Sequence, residues 1–135
     1  MCKLGDIIVV KEFKDKNGII IPRHSFVVID ENKNYIQGCP YDFVSNMMCS
    51  FHDEEHRKNK LKIESNLEID KEQIVGRKIN QKGGYIRGEE LYYFKKKKIE
   101  YKVIAHMNEE LLNKLVQLIL KLYIKNKTKK IITNL

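Results

Sequence analysis

The chain has 135 residues, of which 42% are hydrophobic, and its 26 lysine and arginine residues exceed 18 acidic residues to give a net charge of +8. This length and composition predict one compact domain and argue against a disordered chain. No apolar run approaches the roughly 20 residues that a membrane-spanning helix requires, so we expect no membrane segment. The charge favours a polyanionic partner such as a nucleic acid, although a solvated basic surface explains the same excess.

Short apolar runs in the first half of the chain are typical of strands. Each run is rich in β-branched or other apolar residues and is bounded by polar turns, which predicts strands. The predicted strands cover residues 6–11, 25–29, 34–37 and 42–51, with a charged turn at 14–18. A polar run without an apolar face follows at 52–60.

The second half predicts further strands around a lysine run. Alternation of apolar and polar residues favours a strand within 61–69, and a glycine-containing loop covers 72–84. Strands at 90–94 and 99–104 then flank the lysines at 95–98. This lysine run has the densest charge in the chain, and a solvated hairpin tip explains it without any function.

A helix follows the last predicted strand. Asn108 suits the N-cap position, and Glu109 and Glu110 lie where the helix dipole favours negative charge. Leucines then recur at helical spacing and give the segment a wide apolar face as far as about Lys125. Many short strands before one long helix predict a mostly β fold, in which the helix packs on a curled antiparallel sheet or small barrel.

The same sequence bounds the domain and its compartment. We assign residues 1–125 to a single domain and 126–135 to a basic C-terminal tail. The cysteines Cys2, Cys39 and Cys49 are odd in number and form no C-x-x-C pair, which favours reduced thiols in the cytoplasm. The chain enters its first predicted strand directly, so we expect no targeting segment.

One stretch matches a zinc-binding pattern. Residues 52–56 have the sequence H-x-x-E-H, the inverted zincin arrangement. Such a site needs a helix buried in a cleft and a further ligand downstream, whereas this run is almost wholly charged. We therefore expect no metal site and no cofactor.

Three stretches resemble the MazF/PemK family of toxins in their order and spacing. Residues 5–10 (GDIIVV) resemble the family's G-D-I-V-x-V start. Residues 23–28 (RHSFVV) resemble its R-P-x-[LV]-V-[VI] stretch, with His24 in place of the proline. Residues 84–91 and 104–111 resemble its late strand with a D-Q-[IL] turn and the G-x-L-x-x-E opening of its last helix.

The resemblance implies an SH3-like small barrel of antiparallel strands with a long C-terminal helix, assembled as a homodimer. It also implies a toxin-type endoribonuclease of a toxin–antitoxin system, which cuts single-stranded mRNA without a metal ion. The implied protein partner is an antitoxin whose acidic segment lies in the RNA groove. The departures from the family's motifs favour an alternative, a module of the same fold that binds nucleic acid or an acidic protein partner without cutting.

Cleavage of RNA by its own 2′-hydroxyl needs proton transfer at two oxygens and a cation for the phosphorane. Arg23 suits the cation because its guanidinium presents a planar fork of donors and stays charged. The family's catalytic threonine falls near Ser50, and His24 and His52 titrate near neutral pH. We expect these four side chains to meet at one rim of the sheet. An arginine ion pair, a serine at a strand end and silent surface histidines are the alternatives.

Four further residues are candidates for RNA binding. Lys14, Lys16 and Asn17 lie in the first turn, where the family's flexible loop touches RNA. Tyr41 offers an aromatic face on which an unpaired base can stack. Packing in the core is the alternative for the aromatic residues.

Overall fold

The computed structural model describes residues 2–69, 71–76 and 83–133, in which short strands predominate. The strands are β1 (Asp6–Val10), β2 (Phe13–Lys14), β3 (Ile20–Ile21), β4 (His24–Asp30), β5 (Asn34–Ile36), β6 (Cys39–Tyr41), β7 (Phe43–Ser50), β8 (Asn66–Ile69), β9 (Ile74–Gly76), β10 (Gly84–Arg87), β11 (Glu90–Phe94), β12 (Tyr101–Met107) and β13 (Lys129–Ile132). The helices are α1 (Glu54–Leu61) and α2 (Glu109–Ile124), with 3₁₀ turns at Lys71–Gln73 and Lys96–Lys98.

The long strand β7 lies near the centre of a nine-stranded sheet. Its strand order is β13–β11–β7–β4–β1–β12–β9, and β10 pairs with the second half of β7 and with β8. The described pairs are antiparallel except for β11–β13, which is parallel. The sheet curls into a half-barrel, and β2–β3 and β5–β6 form separate hairpins. The predicted mostly β fold with a curled antiparallel sheet is confirmed.

Alternation along the strands directs apolar side chains to two faces of the sheet. Phe26, Phe43 and Phe94 pack together on one face, which we call the aromatic face, and the centroids of Phe26 and Phe94 are 5.1 Å apart. Val27 lies on the other face, which we call the helix face because α2 covers it through Leu115 and neighbouring leucines. The chemistry of any residue on β4 or β7 therefore depends on which face it occupies.

The helix expected after Asn108 is α2. The Asn108 side chain accepts a hydrogen bond from the backbone N–H of Leu111 at 2.9 Å and so caps the helix. The apolar stripe packs against the sheet through four buried leucines, Leu111, Leu112, Leu115 and Leu122. Within the described ranges, neither helix is long and apolar enough to cross a bilayer.

The chain continues into a strand after α2, which corrects the prediction that 126–135 is a basic tail. Strand β13 pairs in parallel with β11, and the backbone N–H of Lys129 donates to the carbonyl of Glu89 at 2.6 Å. Lys129 and Lys130 are exposed and Ile132 is buried. Backbone hydrogen bonds and one buried isoleucine therefore hold β13 in the sheet, although its basic composition does not predict a strand. Residues 134–135 lie outside the described residues.

The polar run 52–60 contains helix α1, where no helix was predicted. The Asp53 side chain accepts from the backbone N–H of His56 at 2.8 Å, and acids in the first turn and lysines in the last turn complement the helix dipole. Arg57 joins the helix to β8 through Glu68 at 2.7 Å. Capping and charge thus stabilise a helix that has no buried residue.

Two smaller predictions also change. The expected loop 72–84 contains β9 and the first residue of β10, while residues 77–82 lie outside the described residues. The lysine run 95–98, expected as a hairpin tip, forms a 3₁₀ turn in which the N–H of Lys96 donates to the Asp42 side chain at 2.7 Å. Asp42 is 54 residues away from Lys96 in the sequence, so the pattern of residues around the lysine run does not predict this hydrogen bond.

Candidate functional site

Arg23 and Ser50 lie at the same end of the central strands. The β4–β7 ladder ends at the pair Ser25–Met48, and Arg23 and Ser50 each lie two residues beyond that pair at the same end of the sheet. Neighbouring strands in a sheet lie about 5 Å apart, so residues at the same end of β4 and β7 can be considered together as one candidate site. Both residues are exposed. We call Arg23 and Ser50 the strand-end pair.

The Arg23 guanidinium is available for a ligand. Among the residues that the structure describes, it forms no hydrogen bond and no ion pair, and it lies in the bend just before β4. Ser50 is held in place from its other side, because it pairs with Gly84 of β10. An unpaired cation beside a hydroxyl on a rigid strand is an arrangement suited to a phosphate group.

His52 follows the strand-end pair and is also exposed. Its backbone N–H donates to Nδ1 of His56 at 3.1 Å, and the two imidazole centroids are 4.5 Å apart. The H-x-x-E-H stretch thus forms the capped start of α1. In 2–69, 71–76 and 83–133, no three or more histidine, cysteine or acidic side chains are grouped to hold a metal ion.

His24 does not join the strand-end pair. Alternation along β4 places it on the aromatic face, where its ring lies 6.2 Å from that of Phe26. Its Nε2 is buried without a hydrogen-bond partner in the described part of the chain. Burial lowers the pKa of His24, a hydrogen bond with the Met48 backbone opposes this, and the charge of Arg87 lowers the pKa further. The four side chains therefore do not all meet at one rim as expected, because His24 lies on the aromatic face, away from the strand-end pair.

A second group of polar side chains surrounds His24 on the aromatic face. Tyr85 of β10 pairs with Cys49 of β7, and their side chains share a hydrogen bond. Arg87 lies on the same side of β10 two residues later, and the continued β4–β7 register sets His24 opposite Cys49. Glu90 belongs to the group because its carboxylate lies 2.5 Å from Nη2 of Arg87. We call these five residues the aromatic-face cluster.

The buried Asn46 fixes the position of this cluster. Its Nδ2 donates to the carbonyls of Arg87 and Glu90 at 3.0 and 3.1 Å, which joins the end of β10 to the start of β11. The backbone N–H of Gly88, between the two strands, donates to the Ser65 carbonyl at 2.7 Å. A buried asparagine inside an apolar strand is the sequence signal that pointed to this junction, and our sequence analysis missed it.

The thiol and phenol of the cluster are neutral donors near neutral pH. Burial raises the pKa of Cys49 although Arg87 and Lys60 oppose that shift. Burial, with the neighbouring Cys49, raises the pKa of Tyr85 to about 12. Cys49 is therefore not an activated thiolate nucleophile. The cluster's chemistry is that of hydrogen-bond donors around one guanidinium.

The predicted RNA-binding residues lie toward the other end of β7. Tyr41 is half-buried and packs edge-on against Tyr93 at 4.9 Å, and Tyr93 pairs with Val44. From Val44 to Ser50 is six residues of strand, about 20 Å. The structure therefore does not bring Tyr41 together with the strand-end pair.

The turn that carries Lys14, Lys16 and Asn17 is fastened to the C-terminal strand. The backbone N–H of Lys16 donates to the carbonyl of Ile132 at 2.8 Å, and Asp15 forms a β-bridge with Thr133. All three predicted residues are exposed, and Lys16 Nζ donates to the Gln37 side chain at 3.0 Å. The expected flexible RNA loop is thus a tethered turn.

A comparison of the chain with protein-family models, curated proteins and solved structures finds no match. The strand-end pair and the aromatic-face cluster therefore carry the functional argument, and the family resemblance remains an expectation from the quoted motifs.

The lowered pKa of His24 predicts a loss of stability in acid. The unfolded chain takes up the proton at the ordinary imidazole pKa of about 6.5, whereas folded His24 takes it up only at lower pH. The free energy of unfolding therefore falls as the pH drops through this window. His24→Gln removes the group while the other three histidines remain. Urea unfolding at about pH 7.5 and about pH 5 should show a smaller acid loss for the variant; parallel losses in both proteins would contradict the assignment.

Proposed function

We propose that this chain is a metal-independent endoribonuclease that cuts single-stranded RNA, as the MazF/PemK resemblance implies. The observation that supports it best is the strand-end pair, in which an exposed guanidinium with no partner among the described residues lies at the same end of the sheet as an exposed serine that ends β7. The net charge of +8 favours the polyanionic substrate.

In this proposal the 2′-oxygen of the substrate forms a bond to the adjacent phosphorus, and the bond from phosphorus to the 5′-oxygen breaks. Arg23 stabilises the charge that develops on the phosphorane oxygens, and the Ser50 hydroxyl donates a hydrogen bond to one of them. The proton of the 2′-hydroxyl passes to a base, and the leaving 5′-oxygen receives a proton. His52 is the exposed imidazole nearest in sequence to this pair and is our candidate for proton transfer.

The wider surface suits a strand of several nucleotides. Tyr41 lies near the start of β7, about 20 Å of strand away from Ser50. Lys16 lies beside β13, which β11 separates from β7. They would contact nucleotides remote from the cut, where loss of a contact changes affinity more than rate. An acidic antitoxin segment that occupies the same path is the proposed protein partner.

We also propose a homodimer. Helix α2 buries its leucines against the sheet but leaves Leu120, Tyr123 and Ile124 exposed, the last at 82% of its surface. A second copy of the chain would remove these side chains from water. Sedimentation velocity at micromolar concentration should give a dimer, and a monomer throughout that range would contradict this part of the proposal.

The decisive experiment incubates the purified protein with a long unstructured RNA in the presence of a chelator. We expect fragments that end in a 2′,3′-cyclic phosphate or its hydrolysis product. Binding that weakens with salt, without any cleavage, would instead favour a nucleic-acid-binding module, a reading consistent with the position of His24 away from Arg23. If the RNA is neither bound nor cut, the nuclease proposal is wrong.

A further inference from the structure

We propose that the aromatic-face cluster is a second phosphate subsite, in which Arg87 binds a backbone phosphate of the RNA other than the one that is cut. The inference rests on the proposed RNA substrate but concerns residues that the catalytic proposal does not use. It follows from the free donors of Arg87, from the buried Nε2 of His24 that has no partner in the described chain, and from the consecutive positions of Cys49 and Ser50 in β7.

Arg87 has donors to spare. Its two ion pairs, to Glu90 at 2.5 Å and to Glu89 at 3.6 Å, both use Nη2. Among the described residues, Nε and Nη1 have no acceptor. The side chain is 37% exposed, so solvent and ligand reach it. The two carboxylates hold the guanidinium in one orientation while part of its fork remains open to an anion.

The neighbours of Arg87 add donors and positive charge. Nε2 of His24 is buried without a partner in the described chain, which is a costly state for a polar atom unless a ligand completes it. The charges of Arg87 and Lys60 both lower the pKa of Cys49, so a second cation lies near the cluster. Glu90 opposes an anion, and we therefore expect a phosphodiester with its single charge to bind better than a phosphate dianion.

The cluster begins one residue away from the strand-end pair. Cys49 and Ser50 are consecutive in β7, and their side chains project to opposite faces of the sheet. In β10 Ile86 pairs with Met48 and Arg87 comes one residue later, so Arg87 lies about 10 Å of strand from the level of Ser50. An RNA strand of several nucleotides that contacts Arg23 would therefore place a phosphate other than the cut one at Arg87.

The test measures binding separately from cleavage. The probe is a fluorescent RNA oligonucleotide whose 2′-hydroxyls are methylated, so that it binds without being cut. Arg87→Met should weaken its binding about tenfold and reduce the slope of log affinity against log salt by about one. Arg57→Met removes an equally exposed arginine from α1 and is the matched control, for which we expect little change.

A second variant covers the case in which Arg87→Met fails to fold because Glu90 loses its partner. Arg87→Lys keeps the charge but lacks the fork of donors. We expect its affinity for the oligonucleotide to lie between that of the wild type and the about tenfold lower affinity expected for Arg87→Met. The imidazole resonances of His24 should shift when the oligonucleotide is added to the wild type. They should not shift with inorganic phosphate alone at the same concentration, which separates an RNA phosphate from a free anion.

The outcomes separate this inference from the nuclease proposal. If Arg87 variants bind the methylated RNA as well as the Arg57 control does, the subsite is wrong even where cleavage of ordinary RNA is observed. If Arg87 variants lose affinity but the wild type cuts no RNA, the subsite stands and the nuclease proposal fails. Absence of any binding by the wild type overturns both.

Discussion

Replacement of Arg23 by alanine should reduce RNA cleavage about 10²- to 10³-fold, because one cation provides the stabilisation of the phosphorane. Arg23→Lys should retain part of the activity, since an ammonium keeps the charge but cannot donate two parallel hydrogen bonds. The measurement is the initial rate of cleavage of a fluorogenic RNA in the presence of a chelator. The loss should appear in kcat rather than in KM, because the interaction strengthens as charge develops.

Two controls make this result specific. Arg23 is exposed and has no partner in the described chain, so the free energy of unfolding should change by no more than about 0.5 kcal/mol. Arg57→Ala removes an arginine from α1 and should leave the cleavage rate nearly unchanged. Equal rates for wild type and Arg23→Ala would remove the central residue of the proposed mechanism, whatever the protein binds.

The sequence predicts those parts of the fold that depend on apolar patterning. The β-branched runs that became β1 and β4, and the leucine stripe of α2, bury surface that their own spacing reveals. Apolar patterning does not predict helix α1 or strand β13. A cap and ion pairs stabilise α1, and backbone hydrogen bonds to β11 hold β13. Neither kind of contact leaves an apolar period in the sequence.

The candidate site was predictable only in part for a related reason. Arg23 and Ser50 lie at strand ends, so pairing of two predicted strands is enough to set them at the same end of the sheet. The division of His24 from Arg23 follows from strand alternation, but only once the start of β4 is known to the residue. The contact between Cys49 and Tyr85 depends on the register of β10 against β7. The sequence does not predict this register, because a long segment separates the two strands in the chain. A one-residue shift in either register would move the side chains of that strand to the opposite face of the sheet, and the residues of the cluster would no longer lie together.

At Gly84, the addition of a single Cβ atom would disturb the pairing of β10 with β7. A Cβ built on Gly84 would lie 2.4 Å from the carbonyl oxygen of Cys49, inside the neighbouring strand. Gly84→Ala must therefore displace β10 from β7, and we expect a loss of about 3 kcal/mol in the free energy of unfolding. Chemical unfolding followed by circular dichroism measures it.

Gly38→Ala is the matched control for this substitution, because a Cβ at Gly38 meets nothing within 4 Å. Gly38 has a φ of +79°, so alanine there should cost only about 1 kcal/mol of left-handed backbone strain. The comparison separates a clash between strands from the ordinary loss of a glycine. A small and equal effect at both positions would mean that β10 does not approach β7 as closely as the ladder requires. Ser50 and Cys49 would then lack their common support, and the strand-end pair and the aromatic-face cluster would fail together.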